Sequence, residues 1–241
     1  MRQGFKSISF SSTNSNIIYA GLAKNRATVL TSIPVGTVIY KSLDSGQTFS
    51  PLPSILDGSN VNRLIVSPYN SNIVYAATSS GVYKTGNGAA SWTKLGNLGT
   101  RHIECIAVDF RQPEYIIAGE VFGGVWISKD VGLSWTGPHN TGFNSPNPYI
   151  TALSFDPGNS NTVFAGDLYS GVYCSYNKGL TWSPFPDWKM SGLSVRAVKD
   201  LELNSEVIYA ATLGGGVFRY LRPSKKNISS VPAFILLLLD D

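Results

Sequence analysis

Two carboxylates, Glu120 and Asp167, stand at corresponding places in the chain. Each directly follows an apolar run ending in Ala-Gly: Ile116-Ile117-Ala118-Gly119-Glu120 and Val163-Phe164-Ala165-Gly166-Asp167. A pair of carboxyl groups on neighbouring structural repeats is what glycosidic hydrolysis needs. One protonates the leaving oxygen, and the other acts as nucleophile or as base on water. Phe122, Tyr149, Tyr169 and Trp188 offer flat faces on which a sugar ring can stack. Three of the five copies of this position are neutral, namely Leu22, Thr78 and Thr212, so the pair is confined to two adjacent repeats. Carboxylates in such patterns are more often ordinary surface groups than catalysts.

A second set of candidates is cationic. Arg63, Arg101 and Arg196 fall near the starts of strands, and three converging guanidinium groups would hold an anion. Scattered surface arginines are the commoner outcome. Together with Tyr149 and Tyr169, these three are the candidate ligand-binding residues. No metal site or cofactor is expected. His102 and His139 are 37 residues apart, and the sequence has no paired Cys or His ligand spacing. The two cysteines, Cys105 and Cys174, occupy different strand positions and read as small core residues.

These residues sit on a repeat. Apolar strands of the form Ile-Ile-Tyr-Ala recur from Ile17, Ile73, Tyr115, Thr162 and Val207. A Gly-Val-aromatic strand start follows at Gly81, Gly124, Gly171 and Gly216, and Gly36-Thr37-Val38 stands in its place in the first repeat. The valines Val38, Val82, Val125, Val172 and Val217 are spaced 44, 43, 47 and 45 residues apart. That period is the length of a four-stranded propeller blade. β-branched and aromatic strands broken by Gly, Pro, Asn and Ser, without 3.6-residue periodicity, predict an all-β chain.

After the third strand an eight-residue segment recurs: Ser/Thr-x-Asp/Asn-x-Gly-x-Ser/Thr-aromatic. Its copies are Ser42–Phe49, Thr85–Trp92, Ser128–Trp135 and Ser175–Trp182. Asp44, Asn87, Asp130 and Asn177 are placed to bond backbone N–H groups ahead of them. Gly46, Gly132 and Gly179 supply a positive φ. Phe49, Trp92, Trp135 and Trp182 are placed to cap the core. Asn replaces Asp twice, which argues for a staple and against a needed carboxylate. In the second copy Ala89 stands where the others have Gly, and Gly88 lies one position earlier, so that turn is expected to be distorted.

The segments resemble the Asp-box, or BNR repeat, of sialidase-type β-propellers, over about residues 8 to 220. That resemblance implies about five four-stranded blades over residues 1–222, followed by a tail, 223–241, that is a candidate closing strand. The superfamily includes sialidases, xyloglucan-type hydrolases, sortilin-like ectodomains and photosystem assembly factors, so the fold alone assigns no activity. The Arg-Ile-Pro segment of sialidases is absent from the sequence.

Bulk properties narrow the classes further. Net charge is +4, but Lys and Arg are scattered, which argues against nucleic acid as a partner. No apolar run reaches the ~20 residues that span a bilayer. Only 14% of residues are charged, against about 25% in ordinary soluble domains. This composition suits an extracellular or periplasmic protein, although Met1 to Phe5 leads into the first repeat without an apolar leader. The resulting expectation is a non-catalytic scaffold that recognises protein or carbohydrate at one rim. The alternative is a glycoside hydrolase using Glu120 and Asp167. The insertion Thr136–Tyr149 reads either as a binding loop or as a plain surface loop.

Overall fold

The computed structural model describes residues 4–23, 39–52, 59–185, 197–222 and 235–237. These residues form an all-β propeller of five antiparallel sheets, each built from consecutive strands. Sheet 1 holds β1 (Gly4–Phe10), β2 (Ile18–Ala23), β3 (Ile39–Ser42) and β4 (Ser50–Pro51). Sheet 2 holds β5 (Val61–Val66), β6 (Val74–Thr78), β7 (Gly81–Thr85) and β8 (Thr93–Lys94). Sheet 3 holds β9 (Ile103–Val108), β10 (Ile116–Glu120) and β11 (Gly124–Ser128). Its fourth edge is a single bridge between Ile127 and Thr136. Sheet 4 holds β12 (Ile150–Asp156), β13 (Asn159–Asp167), β14 (Gly171–Ser175) and β15 (Ser183–Pro184). Sheet 5 holds β16 (Val198–Leu203), β17 (Val207–Thr212), β18 (Gly216–Leu221) and β19 (Ile235–Leu237). β19 pairs antiparallel with β18, Phe218 opposite Leu236, so a segment of the tail supplies this sheet's fourth strand.

The chain divides into two compact units. One comprises Met1–Ile106 with Asp130–Trp135, and the other Ala107–Lys129 with Thr136–Asp241. In the first unit, Tyr19 and Ile39 of sheet 1 pack on Val61, Leu64, Val66, Val74 and Ala76 of sheet 2. In the second, Phe164, Val172 and Cys174 of sheet 4 pack on Leu201, Ile208, Phe218 and Tyr220 of sheet 5. Burial of such side chains is worth about 1.5–3 kcal/mol each and drives the sheets together face to face. Cys105 and Cys174 are both buried, with no disulfide among the described residues, and burial pushes the Cys174 thiol up to about 11.

First strands of successive sheets are also tied by side chains that bond to backbone. Ser7 and Ser9 of β1 accept the N–H groups of Leu64 and Val66 at 2.8 and 3.2 Å. Asn62 of β5 donates to the carbonyl of Ile103 at 2.8 Å, and Thr151 of β12 to that of Val198 at 2.7 Å. A backbone group in a close-packed interior needs such a partner.

The eight-residue turns share one network. Ser42 Oγ accepts the N–H of Gly46 at 2.9 Å, and Asp44 accepts the N–H of Thr48 at 2.9 Å. Ser175 and Asn177 repeat this with Gly179 and Thr181 at 2.8 and 2.9 Å. Asp130 accepts the N–H of Ser134 at 2.9 Å. The second copy keeps the pattern too, with Thr85 to Ala89 at 3.1 Å and Asn87 to Ser91 at 2.9 Å. Gly88 and Ala89 have φ of 68° and 73°, close to the 60° and 89° of Val131 and Gly132. The expected distortion is therefore absent. Ala89 adopts the left-handed conformation itself, held by the same bonds.

Three of these turns, those of sheets 2, 3 and 4, also dock on the sheet before them. Lys41 of sheet 1 donates to Gly88 O at 3.4 Å. Gly132 lies directly on Leu95, the residue after β8. Tyr115 of sheet 3 donates to Lys178 O at 3.1 Å, and Gly179 lies against Ile117 and Ile127. The turn is thus a fastener between sheets as well as a hairpin staple.

Candidate binding site

In sheets 2, 3 and 4 antiparallel pairing puts the eight-residue turn at one end and the hairpin between second and third strands at the other. Glu120 and Asp167 lie at this hairpin end. They open the turns Glu120–Gly124 and Asp167–Gly171.

Asp167 is 1% exposed. Its Oδ1 accepts the N–H of Tyr169 at 2.6 Å and of Ser170 at 2.9 Å, the arrangement of an Asx-turn. Its Oδ2 is buried and has no hydrogen-bond partner among the described residues. Thr78, at the same register in sheet 2, accepts the N–H of Ser80 at 3.1 Å. Glu120 folds back under its own turn, with its carboxylate against Gly123. Its Oε2 accepts the indole N–H of Trp126 at 2.8 Å. Each carboxylate thus shapes the turn that it opens.

Those turns carry aromatic rings. Phe122 and Tyr169 stand at the two tips, 56% and 61% exposed. Their rings stack with centroids 6.1 Å apart and planes 17° from parallel. Tyr149, directly before β12, closes the group at 5.1 Å from Phe122 and 6.4 Å from Tyr169. Phe122 has a φ of +56°, the left-handed region, where the matching Gly214 in sheet 5 has +80°. A bulky residue there costs about 1 kcal/mol or more, so the ring is displayed against a backbone preference.

The insertion Thr136–Tyr149 positions the third ring. His139 N–H donates to Val125 O at 2.8 Å, and Asn140 Oδ1 accepts the N–H of Val125 at 3.2 Å. Further on, Thr141 O accepts the N–H of Trp182 at 2.8 Å. Phe143 packs on Tyr173 and Trp182, centroids 4.6 and 5.2 Å away. Finally Tyr149 O accepts the N–H of Leu168 at 3.0 Å. The segment is a strap fixed to sheet 3 at one end and to sheet 4 along the rest, so Tyr149 is held at the end of a hydrogen-bonded mount.

The remaining candidates lie elsewhere. Arg63 is a half-buried residue of β5, opposite Ala77, and Arg101 is exposed just before β9; both belong to the first unit. Arg196 and Trp188 lie outside the described residues. Near β9, Lys6 bonds Glu104 at 2.7 Å and Asn62 at 2.9 Å, a polar tie between first strands that repeat periodicity did not reveal. Among the described residues no group of three His, Cys, Asp or Glu side chains could hold a metal ion. No described helix is long and apolar enough to cross a membrane.

No family model and no curated protein matches the sequence. Solved structures do. An ancestral GH74 enzyme aligns with 95% of this chain at 22% identity and a TM-score of 0.68, over 31% of its own length. The GH74 xyloglucanase from Xanthomonas campestris aligns with 90% at 14% identity and a TM-score of 0.53, over 45% of its length. YCF48 bound to D1 peptide aligns with 92% at 14% identity and a TM-score of 0.52, over 80% of its length. The chain therefore spans less than half the length of either GH74 enzyme. The likeness is one of fold, a β-propeller that serves a xyloglucanase and a peptide-bound protein alike.

Proposed function

We propose that this chain is a non-catalytic binding scaffold that holds its ligand on the Phe122, Tyr149 and Tyr169 rings at the hairpin end of sheets 3 and 4. The observation that carries this reading is the stacked, solvent-facing pair Phe122 and Tyr169, mounted on turns that Glu120 and Asp167 brace. Flat exposed rings bind sugar rings or the apolar side chains of a peptide through their faces. Their turns are hydrogen-bonded in place, so little conformational entropy is lost on binding. We also read the eight-residue turns as Asp-boxes, supported by the network that recurs in them. The low surface charge favours an extracellular or periplasmic setting.

Titration calorimetry with xyloglucan oligosaccharides, and separately with a peptide library, tests this reading and distinguishes its two ligand classes. Binding without release of reducing ends supports it. Saturable binding that is untouched by loss of Tyr169 overturns it. A second reading, glycoside hydrolysis, is favoured by one observation, the buried Asp167 Oδ2 without a partner among the described residues. A reducing-end assay on the same oligosaccharides decides between the two.

A further inference from the structure

The rings of Phe122, Tyr149 and Tyr169 are spaced to favour one kind of guest. Their centroids form a triangle with sides of 5.1, 6.1 and 6.4 Å. That triangle has a circumradius of about 3.4 Å, so a point about 4 Å above its plane, one contact distance away, lies about 5.3 Å from all three centroids. An ammonium within about 6 Å of a ring centroid is drawn to the ring by its quadrupole. One positive group can therefore engage three rings at once. The rings do not share a plane. Phe122 and Tyr169 are 17° from parallel, and Tyr149 stands at 59° and 62° to them. A sugar ring stacks on one flat platform, whereas a compact cation is served by rings set at angles around it.

The molecule makes this contact elsewhere. Lys41, Lys84 and Lys94 lie over the rings of their cross-strand partners Tyr19, Tyr75 and Tyr83, at 5.1, 5.3 and 5.8 Å from the centroids. Lys178 reaches the ring of Tyr115 at 4.9 Å from another sheet, so the contact also joins parts of the chain distant in sequence. The fixed charge at the aromatic site has the matching sign. The turns Glu120–Gly124 and Asp167–Gly171 each open on a carboxylate, and neither they nor the end of the strap, Asn144–Tyr149, contain Lys, Arg or His. Both carboxylates are bonded within their own hairpins, so direct contact with a guest falls to the rings.

We propose that the guest on Phe122, Tyr149 and Tyr169 is a lysine side chain of a partner peptide, held by its ammonium. Such a guest presupposes the binding role proposed for this site and narrows its ligand to a cationic peptide. Each ring contributes a modest attraction, and the hydrogen-bonded turns hold the three in place before binding.

The test uses the full chain and the peptide Ac-Gly-Gly-Lys-Gly-Gly-NH2, titrated into the millimolar range and followed by saturation-transfer NMR. The peptide should bind saturably. Tyr169→Ala should weaken it about tenfold, the effect of losing one aromatic anchor. Tyr169→Phe, which keeps the ring and drops the hydroxyl, should leave it unchanged. Trimethylating the lysine keeps the charge and removes every N–H donor, so binding should hold or tighten. Acetylating it removes the charge and should weaken binding about fivefold. Acetyl-lysine that binds as well as lysine, with the same dependence on Tyr169, overturns the cationic guest and leaves the scaffold reading standing. Binding lost on trimethylation points to hydrogen bonding and overturns it too. Lysine binding indifferent to Tyr169→Ala overturns both the guest and the site. No saturable binding of the lysine peptide overturns the guest alone, and the oligosaccharide calorimetry still judges the scaffold. Circular dichroism and thermal melting of Tyr169→Ala show that its weaker binding comes from a folded protein.

Discussion

Asp167 accepts the backbone N–H of Tyr169 through Oδ1 at 2.6 Å, so the carboxylate that reads as a catalyst in the sequence positions the ring that reads as a sugar platform. In sheet 2 the hydroxyl of Thr78 does the corresponding work for Ser80 at 3.1 Å. A hydroxyl can replace a carboxylate as a turn acceptor but not as a general acid, so the shared role speaks for positioning.

Asp167→Asn and Asp167→Ala separate the two roles. Asn keeps an acceptor oxygen, so the variant should melt within a degree or two of the parent and bind ligand as well as it does. Ala removes two accepted hydrogen bonds and should cost about 1 kcal/mol in urea unfolding, with weaker binding through a displaced Tyr169. Loss of a measurable hydrolytic activity in the Asn variant, at unchanged stability, would establish the hydrolase instead.

Phe122 lets stability and binding move in opposite directions. Its φ of +56° suits glycine, so Phe122→Gly should leave stability unchanged or raise it by up to about 1 kcal/mol. Removing the ring should weaken ligand binding about tenfold, in line with roughly 1–1.5 kcal/mol for one aromatic contact. Calorimetric titration beside thermal melting reads both.

The turn position shared by Ala89, Gly132 and Gly179 tests what a methyl group costs in a left-handed bend. At Gly132 an added Cβ would come within 2.6 Å of Leu95 Cδ1, at a φ of +89°. Strain and overpacking together should make Gly132→Ala cost about 2–3 kcal/mol in denaturant unfolding. Ala89 already carries its methyl into the core beside Tyr19 and Val74. In Ala89→Gly the relief of strain, about 1 kcal/mol, and the lost burial of one methyl, about 0.8 kcal/mol, nearly cancel, so that variant should be close to neutral.

Asp44 gives the first turn an acid limit. Hydrogen bonds from Thr48, side chain first and then backbone, and from Ser42 hold its carboxyl down at about 2, from an ordinary 3.8. A folded-state value below the unfolded one contributes stability that is present above pH 3.8 and lost as pH falls toward 2. Thermal melting of the parent and of Asp44→Asn should therefore differ most above about pH 4 and converge toward pH 2. Asn87 and Asn177 hold the same position in their turns and carry no such dependence.

The propeller was legible because its signals are local and repeated, the second strands five times and the eight-residue turn four times. A period near 45 residues, a β-branched second strand and a glycine turn each report on one sheet alone. The site was legible only in part. Phe122, Tyr149 and Tyr169 could be nominated by type and by their nearness to the strand ends. Their stacking depends on the strap from Thr136 to Tyr149, whose anchors at Val125, Leu168 and Trp182 are long-range and leave no pattern in the chain. Likewise, the ties from Ser7, Asn62 and Thr151 to neighbouring first strands look like ordinary polar residues until the partner backbone is in view. Comparing the copies explained the eight-residue turn as a staple, but its second job, docking on the previous sheet, lies in contacts between repeats that no single copy encodes.

That second job has its own test in Tyr115. Its hydroxyl donates to Lys178 O at 3.1 Å, and the Lys178 ammonium lies 4.9 Å from the centre of its ring, so one side chain fastens sheet 3 to the turn of sheet 4. Tyr115→Phe keeps the packing and strands the carbonyl, which should cost about 1 kcal/mol in urea unfolding. Burial pushes the phenol up to about 12 from 10.0. A raised folded-state value contributes stability that is fully present below pH 10.0 and lost as pH rises through about 12. The parent should therefore lose stability across that range by a margin that Tyr115→Phe does not share. If the two proteins melt in parallel from pH 9 to pH 12, the hydroxyl is not held in the folded state as described, and the fastening rests on the ring alone.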